Sequence, residues 1–368
     1  MLTLIYPYRN REVERIQKSL NSLKNQTVTT FTVRFVDYGS EPETAQKVKA
    51  LINEFDFAEY SYYPTHFQPW NKCKALNSVI KNLDSGFCFV ADVDMIFHSE
   101  FVERAISLQK PATATFFKVG FLTEAETKTS KPFSEYTVSF TSSEEATGLT
   151  MFPVEALQKI RGFDEFYHFW GAEDTDMHVR LQNKGYNVNF YDAEVLMLHQ
   201  WHQSYRSKET SEVTKNLQIS DIVSINHQHL HYAISHKKTI VNSETWGEPL
   251  SEVAFEKLQK ETKNPILISN SKAAILHFLY CELSEVTEKP MCFHIKADPF
   301  QKSLKYKAKT VLGKKVPSYL TLKEVNDMLL LHIISFYRNY EYTYQVFEAE
   351  NTLQLTIAKT ENSINKQD

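Results

Sequence analysis

The chain has 368 residues, 42% hydrophobic and 23% charged, a balance that supports a packed core and excludes general disorder. With 25 Phe, 19 Tyr and 4 Trp against only 9 Gly, collagen-like and glycine-rich linker compositions are excluded too. The formal net charge of −4 carries no basic signature for nucleic acid, and the length suggests about two domains. The charge is uneven: residues 1–205 hold 20 Lys+Arg against 26 Asp+Glu, and residues 206–368 hold 21 against 19. The stretch Lys289–Lys323 contains nine lysines and a single acid, Asp298. Cys73, Cys88, Cys281 and Cys292 show no CxxC spacing, which argues against a disulfide framework or a zinc knot and for a reducing compartment. The first residues lack a basic leader region and meet Arg9 and Arg11 too soon for a signal peptide. No apolar run reaches the roughly 18 residues of a membrane span, so the expectation is a soluble, cytoplasmic protein.

In chain order, Leu2–Tyr6 is a short apolar run, as a buried strand would be. Val13, Ile16, Leu20 and Leu23 then mark one helix face. Phe31–Asp37 reads as a strand ending in the turn Asp37-Tyr-Gly-Ser40. Ala45, Val48, Ile52 and Phe55 give a second helix face, and Ala75, Leu76, Val79, Ile80 and Leu83 a third. Phe87–Ala91 is a continuous apolar run, expected of a central strand covered on both sides. Glu124–Glu145, polar and without period, reads as a mobile excursion. Gly148–Phe152 resumes a strand, Pro153 suits a helix start and Gly162 its stop. A further helix runs from near Ala172 to Gly185, before a strand at Asn187–Tyr191. Beyond about Ser204 the texture changes. Polar residues 207–221 connect to helices at Lys272–Val286, Lys302–Leu312 and Leu322–Tyr340, a strand at Met291–Lys296, and a hairpin of Tyr342–Phe347 with Leu353–Ala358. The tail Glu361–Asp368 reads as disordered. Alternating strands and helices argue for an α/β sheet with mainly parallel strands over residues 1–205, followed by a smaller α+β domain over 206–368. In such sheets ligands sit beyond the carboxyl ends of the strands, where Asp37, Asp92 and Asp94 fall.

Four clusters carry candidate chemistry. Asp92-Val93-Asp94 at a strand end suits a hard divalent cation bridged to a diphosphate, although such a pair taken alone is more often solvated strand-end acids. Trp170-Gly-Ala-Glu173-Asp174-Thr-Asp176 sets three acids at a helix start, where the macrodipole stabilises anions. The aromatic and the glycine before them suit a sugar platform beside a base. His199-Gln-Trp-His202 offers one or two imidazoles to a metal. Tyr6-Pro7-Tyr8-Arg9-Asn10-Arg11 puts cations at a helix start, an unfavourable place without a ligand, and arginine suits the phosphates or base edge of a nucleotide.

In order along the chain, these clusters together with Val36-Asp-Tyr-Gly-Ser40, Asn71-Lys-Cys-Lys-Ala-Leu-Asn77 and Gly162-Phe-Asp-Glu165 resemble glycosyltransferases of the GT-A fold. The likeness is to the bacterial family 2 enzymes, including chondroitin polymerase domains, and to the animal β-1,4-galactosyltransferases, over about residues 1–205. The resemblance implies a donor site of Pro7, Arg9, Arg11, Asp37, Lys72, Asp92 and Val93, with Asp37 on the uracil and Lys72 at a phosphate. It implies Mn²⁺ or Mg²⁺ on Asp94 and on His199 or His202. It makes Asp174 the base of an inverting single displacement, Glu173 its neighbour fixing hydroxyls, and Trp170 and Asp176 the acceptor side. The segment 121–147 or the one before Trp170 would close over the donor.

The expected function is therefore transfer of a sugar from a nucleotide sugar, a UDP-sugar by the resemblance, to a glycan or glycoconjugate hydroxyl in polysaccharide biosynthesis. A sugar-1-phosphate nucleotidyltransferase is the enzymatic alternative, but Tyr6–Arg11 lacks the glycine-rich phosphate loop of that class. A non-catalytic sugar-nucleotide or glycan-binding module is the other. The lysine-rich stretch Lys289–Lys323 reads as a solvated face, or as a peripheral contact with anionic lipid at the inner membrane face or with an anionic glycan.

Overall fold

The computed structural model describes residues 1–203 and 212–360. The expected domain boundary at 205/206 and the tail Glu361–Asp368 lie outside the described residues. Two compact units emerge. The first gathers the described residues of Met1–His66, Trp70–Ser207 and Ile222–Pro249, and the second those of Phe67–Pro69, Lys208–Asp221 and Leu250–Asp368. Residues 222–249, which the sequence reading puts with the second half, thus pack with the first unit.

The first unit runs β1 (Leu2–Tyr8), α1 (Val13–Lys24), β2 (Phe31–Tyr38), α2 (Pro42–Ile52), β3 (Ala58–Tyr63), α3 (Lys72–Ile80), β4 (Phe87–Val90), β5 (Met95–Phe97) and α4 (Phe101–Ser107). It continues through β6 (Thr113–Phe117), β7 (Gly120–Leu122), α5 (Glu124–Thr127), β8 (Val138–Thr141), β9 (Thr150–Pro153), α6 (Val154–Lys159), α7 (Glu173–Asn183), β10 (Asn187–Tyr191), β11 (Met197–His199) and α8 (Ile222–Ser235). Its main sheet has the order β10-β6-β9-β4-β1-β2-β3, parallel except for β9, which runs antiparallel to β4 and β6. Every residue of β1 is buried because successive side chains feed opposite faces. Leu2, Leu4, Tyr6 and Tyr8 join Ile16, Leu20 and Leu23 of α1 in one cluster. Ile5 joins Ala75, Leu76 and Ile80 of α3 in another. Helices on both sides explain why the strand reads as an unbroken apolar run.

The strand order reverses between β1 and β4, a topological switch point where a crevice opens beyond the strand ends. A second sheet, β5-β11-β7-β8, is built from strands that come after β4 in the chain. Its edge strand β8 corrects the reading of Glu124–Glu145 as an unstructured excursion: β8 pairs antiparallel with β7, and the Phe121 and Phe140 rings stack at 4.6 Å.

The second unit contains α9 (Glu252–Lys260), β12 (Ile266–Ser269), α10 (Lys272–His277), β13 (Met291–Lys296), α11 (Leu304–Val311), α12 (Leu322–His332), β14 (Glu341–Phe347) and β15 (Thr352–Ala358). The strands form one sheet in the order β12-β13-β15-β14. A capping box between Thr321 and Glu324 starts α12. Among the described residues no helix is long and apolar enough to cross a membrane.

Candidate active site

The crevice begins at Pro7. Its neighbour on the strand, Ile5, is the last β1 residue paired with β4, and the Ile5 carbonyl accepts from Ala91 N at 3.0 Å. Pro7 points its backbone the same way as Ile5 but lies past that pairing, so its missing N–H costs the sheet no hydrogen bond. Just beyond, the Arg9 guanidinium donates to the carbonyl oxygens of Tyr38 (2.5 Å) and Thr65 (2.8 Å). It also lies 5.3 Å from the Tyr38 ring centroid and 5.5 Å from that of Trp70. Arg9 thereby ties three loops together. Arg11, half-buried, makes no side-chain hydrogen bond or ion pair among the described residues, which leaves its charge available to a ligand.

Asp94 follows β4 and is buried, as is Val93 before it. The antiparallel pairing of β5 with β11 sets His199 opposite Met95, and Gln200 N donates to the Asp94 carbonyl at 3.0 Å. Backbone register therefore brings both histidines to the carboxylate. His199 Nε2 lies 3.7 Å from Asp94 Oδ1, and His202 Nε2 lies 3.3 Å from Asp94 Oδ2. One ligand atom from each of the three residues fits within 4.8 Å of the others. The His202 Nδ1 is 2.9 Å from the Gln203 carbonyl oxygen. That oxygen only accepts, so Nδ1 carries the proton and Nε2 presents a lone pair toward Asp94. Burial foremost, with the Arg11 charge adding to it, holds the His202 pKa below the ordinary value and the ring neutral. Asp94 Oδ1 is buried with no hydrogen-bond partner. A neutral imidazole and a carboxylate facing each other lone pair to lone pair are reconciled by a cation between them, so the residues present fit a divalent metal.

The second cluster lies at the start of α7. The approach to it is backbone in unusual conformations: Phe169, Gly171 and Ala172 have φ of 64°, 106° and 73°. Glu173 braces this corner by accepting from Gly171 N at 2.9 Å. Asp174 receives Lys72 Nζ at 3.0 and 3.3 Å on its two oxygens, and Glu173 Oε1 is 3.5 Å from the same nitrogen. Burial raises the Asp174 pKa to about 7, with Glu173 and Asp92 adding to the rise and Lys72 opposing it. Lys72 itself is opposed by burial, yet Asp174, Asp92 and Glu173 hold it well above its ordinary value. The Asp92 charge thus reaches both partners of this pair and links the strand-end acids to the helix-start acids. A Cβ at Gly148 would lie 3.4 Å from Asp174 Oδ2, so the loop before β9 borders the carboxylate with bare backbone. Trp170, 45% exposed, stands at the rim.

Three of the expected site residues have partners within the protein. Asp37 is fully buried and accepts from Ser40 N and Tyr60 OH, both at 2.8 Å. It holds the turn after β2 and has no exposed surface for a base. Asp176 is fully buried against Arg180 Nε at 2.6 Å, and Arg180 also donates to the Gly162 carbonyl at 3.0 Å. It anchors α7 to the turn after α6. Lys72, expected at a phosphate, is engaged by the acids of α7. The segment Asn71–Asn77 likewise serves packing: Asn71 caps α3 by accepting from Lys74 N at 2.7 Å, and Asn77 accepts from Phe163 N at 2.8 Å and donates to Glu165 Oε1 at 3.0 Å. Sequence reasoning missed Trp70, Thr65 and Gly148. An aromatic directly before the capping Asn71 was the available signal for Trp70; the other two had none.

Residues 3–143 match the family model for glycosyl transferase family 2. Residues 127–203 match the model described as the N-terminal domain of galactosyltransferase. The chain carries a family 2-like glycosyltransferase domain of the GT-A type. Both clusters of acids lie within its bounds, and the two matches together reach from β1 to the His199–His202 segment. Among solved structures the domain is similar to S. aureus TarS, 18% identical with a TM-score of 0.46, over 64% of this chain and 41% of that one. TarS 1–349 in complex with UDP-GlcNAc is 18% identical, with a TM-score of 0.42 over 64% and 69% of the two chains. The complex of the same fragment with UDP is 14% identical, with a TM-score of 0.45 over 98% and 97%. The first of these alignments spans less than half of the full TarS chain. No curated protein matches the chain.

Proposed function

We propose that the protein is a metal-dependent, inverting glycosyltransferase that moves a sugar from a UDP-sugar to a hydroxyl of a glycan or glycoconjugate. The observation that carries this reading is the pairing of a metal-competent triad, Asp94 with His199 and His202, and a carboxyl poised near neutrality, Asp174, within one glycosyltransferase domain. Asp94, His199 and His202 would hold the cation, the mixed carboxylate and imidazole set favouring Mn²⁺ over Mg²⁺. When bound, the cation supplies positive charge against the departing diphosphate. Arg11, unengaged among the described residues, adds a guanidinium for the phosphates.

Asp174 accepts the proton of the acceptor hydroxyl as that oxygen attacks the anomeric carbon. The bond from this carbon to the diphosphate oxygen breaks on the opposite face, and UDP leaves with the bonding electrons. Lys72 keeps Asp174 ionised enough to act near neutral pH, since burial alone would leave it protonated. Trp170 offers its exposed ring to the acceptor sugar. Catalysis then belongs to the first unit, with an accessory or docking role for the second.

The test is release of UDP from a panel of UDP-sugars with Mn²⁺ and a mixed glycan acceptor. UDP release that disappears in Asp174→Asn supports the reading. Release of pyrophosphate from UTP and a sugar phosphate would replace it with the nucleotidyltransferase, and donor binding without turnover would replace it with a binding module.

A further inference from the structure

Helix α11 turns the wrong face to water. Its half-buried residues, Tyr306 and Lys309, are three apart on one side, and the Tyr306 ring packs on Phe300 and Tyr319, each at 5.6 Å. At about 100° per residue, Leu304, Ala308 and Val311 share the opposite side. Leu304 and Val311 are 83% and 87% exposed, and Leu312 follows at 68%. Exposed Lys305 and Lys307 flank this apolar stripe on its two sides, Lys309 lies half-buried beyond Lys305, and Lys302, Lys314 and Lys315 are exposed at the helix ends. None of these six lysines has an ion pair among the described residues. The one acid of the stretch, Asp298, is taken up by Phe300 N at 2.9 Å and Tyr319 OH at 2.8 Å.

A merely solvated helix would expose its lysines and bury its aliphatic residues. Here the aliphatic stripe is outermost and cations border it, the arrangement of a helix that lies in a membrane interface. We infer that α11 docks the protein on an anionic lipid surface, with Leu304, Val311 and Leu312 among the headgroups and upper acyl chains and the lysines on lipid phosphates. A second copy of the chain would set six lysines against six. A soluble polyanion would take the lysines and leave the stripe in water. Eight residues give a footprint of about 12 Å, enough for weak and reversible attachment.

The experiment is co-sedimentation of the whole chain with vesicles of equal parts phosphatidylglycerol and phosphatidylcholine, against phosphatidylcholine alone. Binding is expected to the anionic vesicles only, and to fall as salt rises. Replacing Lys305, Lys307 and Lys314, all exposed, by Gln lowers partitioning about fivefold per lysine. Replacing Leu304 and Val311 by Gln lowers it about tenfold or more at unchanged charge. All five positions are exposed, so melting temperatures and UDP release in solution stay as in the parent. Equal binding to neutral vesicles, or none to either, overturns the inference. So does loss on lysine replacement with no loss on replacing Leu304 and Val311, which would assign the surface to a soluble polyanion.

Discussion

Asp174 and Asp176 sit two residues apart in the first turn of one helix, each beside a cation, and they do opposite things. Asp176 meets Arg180 in a pair with no exposed surface on either side chain, and the guanidinium spends its other donors on backbone carbonyls. Asp174 meets Lys72 in a looser pair, 22% and 15% exposed, bordered by Gly148 and by a second acid. A planar fork locked at both ends fixes a helix, whereas a single ammonium shared among acids sets a charge state and leaves an edge open. Burial, partner and the number of competing acids decide which of two identical side chains is locked into structure and which keeps an exposed edge.

Breaking the open pair has the largest consequence for turnover. Asp174→Asn is expected to cut UDP release about 10²–10⁴-fold, the range for loss of a general base, and steady-state kinetics with Mn²⁺ measures it. Retained turnover would move the proton acceptor elsewhere. The same substitution has an opposite effect on stability. Because the folded state holds the Asp174 proton up to about pH 7, longer than the unfolded chain does, parent stability declines as pH rises from about 4 to about 7. Asp174→Asn flattens that decline in urea titrations at several pH values.

Breaking the closed pair comes next. Asp176→Asn leaves Arg180 buried without its counter-charge and should cost about 3–5 kcal/mol of stability, read from urea midpoints; a loss under about 1 kcal/mol would erase the distinction drawn between the two acids. Replacing both His199 and His202 by Ala is expected to weaken Mn²⁺ binding by at least about 10-fold, the cost of losing even an outer partner of a metal, as calorimetry would register. Lys72→Met sharpens the contrast further. It removes the cation that opposes the rise at Asp174, so the acidic limb of the pH–rate profile moves above about 7, and activity lost at neutrality returns in alkaline buffer. A limb that stays in place separates Lys72 from the base. Gly148→Ala is the mildest change. It sets a methyl at van der Waals distance from Asp174 while stabilising the chain by about 0.4–1 kcal/mol through the unfolded state, visible as a higher melting temperature with reduced turnover.

Legibility in the sequence obeys the same division between covered and open surfaces. The strands β1, β2 and β4 and helices α1 and α3 were legible because burial on both sides of the sheet leaves an apolar imprint on them. Strand β3 lies at the sheet edge, half-exposed, and reads as Ala-Glu-Tyr-Ser-Tyr-Tyr without an apolar run. Strand β8 is wholly exposed and left no imprint. Acids and imidazoles of the right kinds were visible as residue types, but their partners were not. Lys72 and Asp174 are separated by 102 positions, and nothing local ties them. The internal partners of Asp37 and Asp176 were not legible because an acid at a strand end or helix start looks alike in sequence whether it serves a backbone amide, an arginine or a ligand.

The left-handed corner before α7 carries its own consequence. Phe169 and Ala172 hold a backbone geometry that side chains resist, and each such residue stores about 1–3 kcal/mol that the surrounding unit must offset. Ala172→Gly would release part of that tension. The reward would be a more robust protein, and the forfeit a less sharply aimed carboxylate.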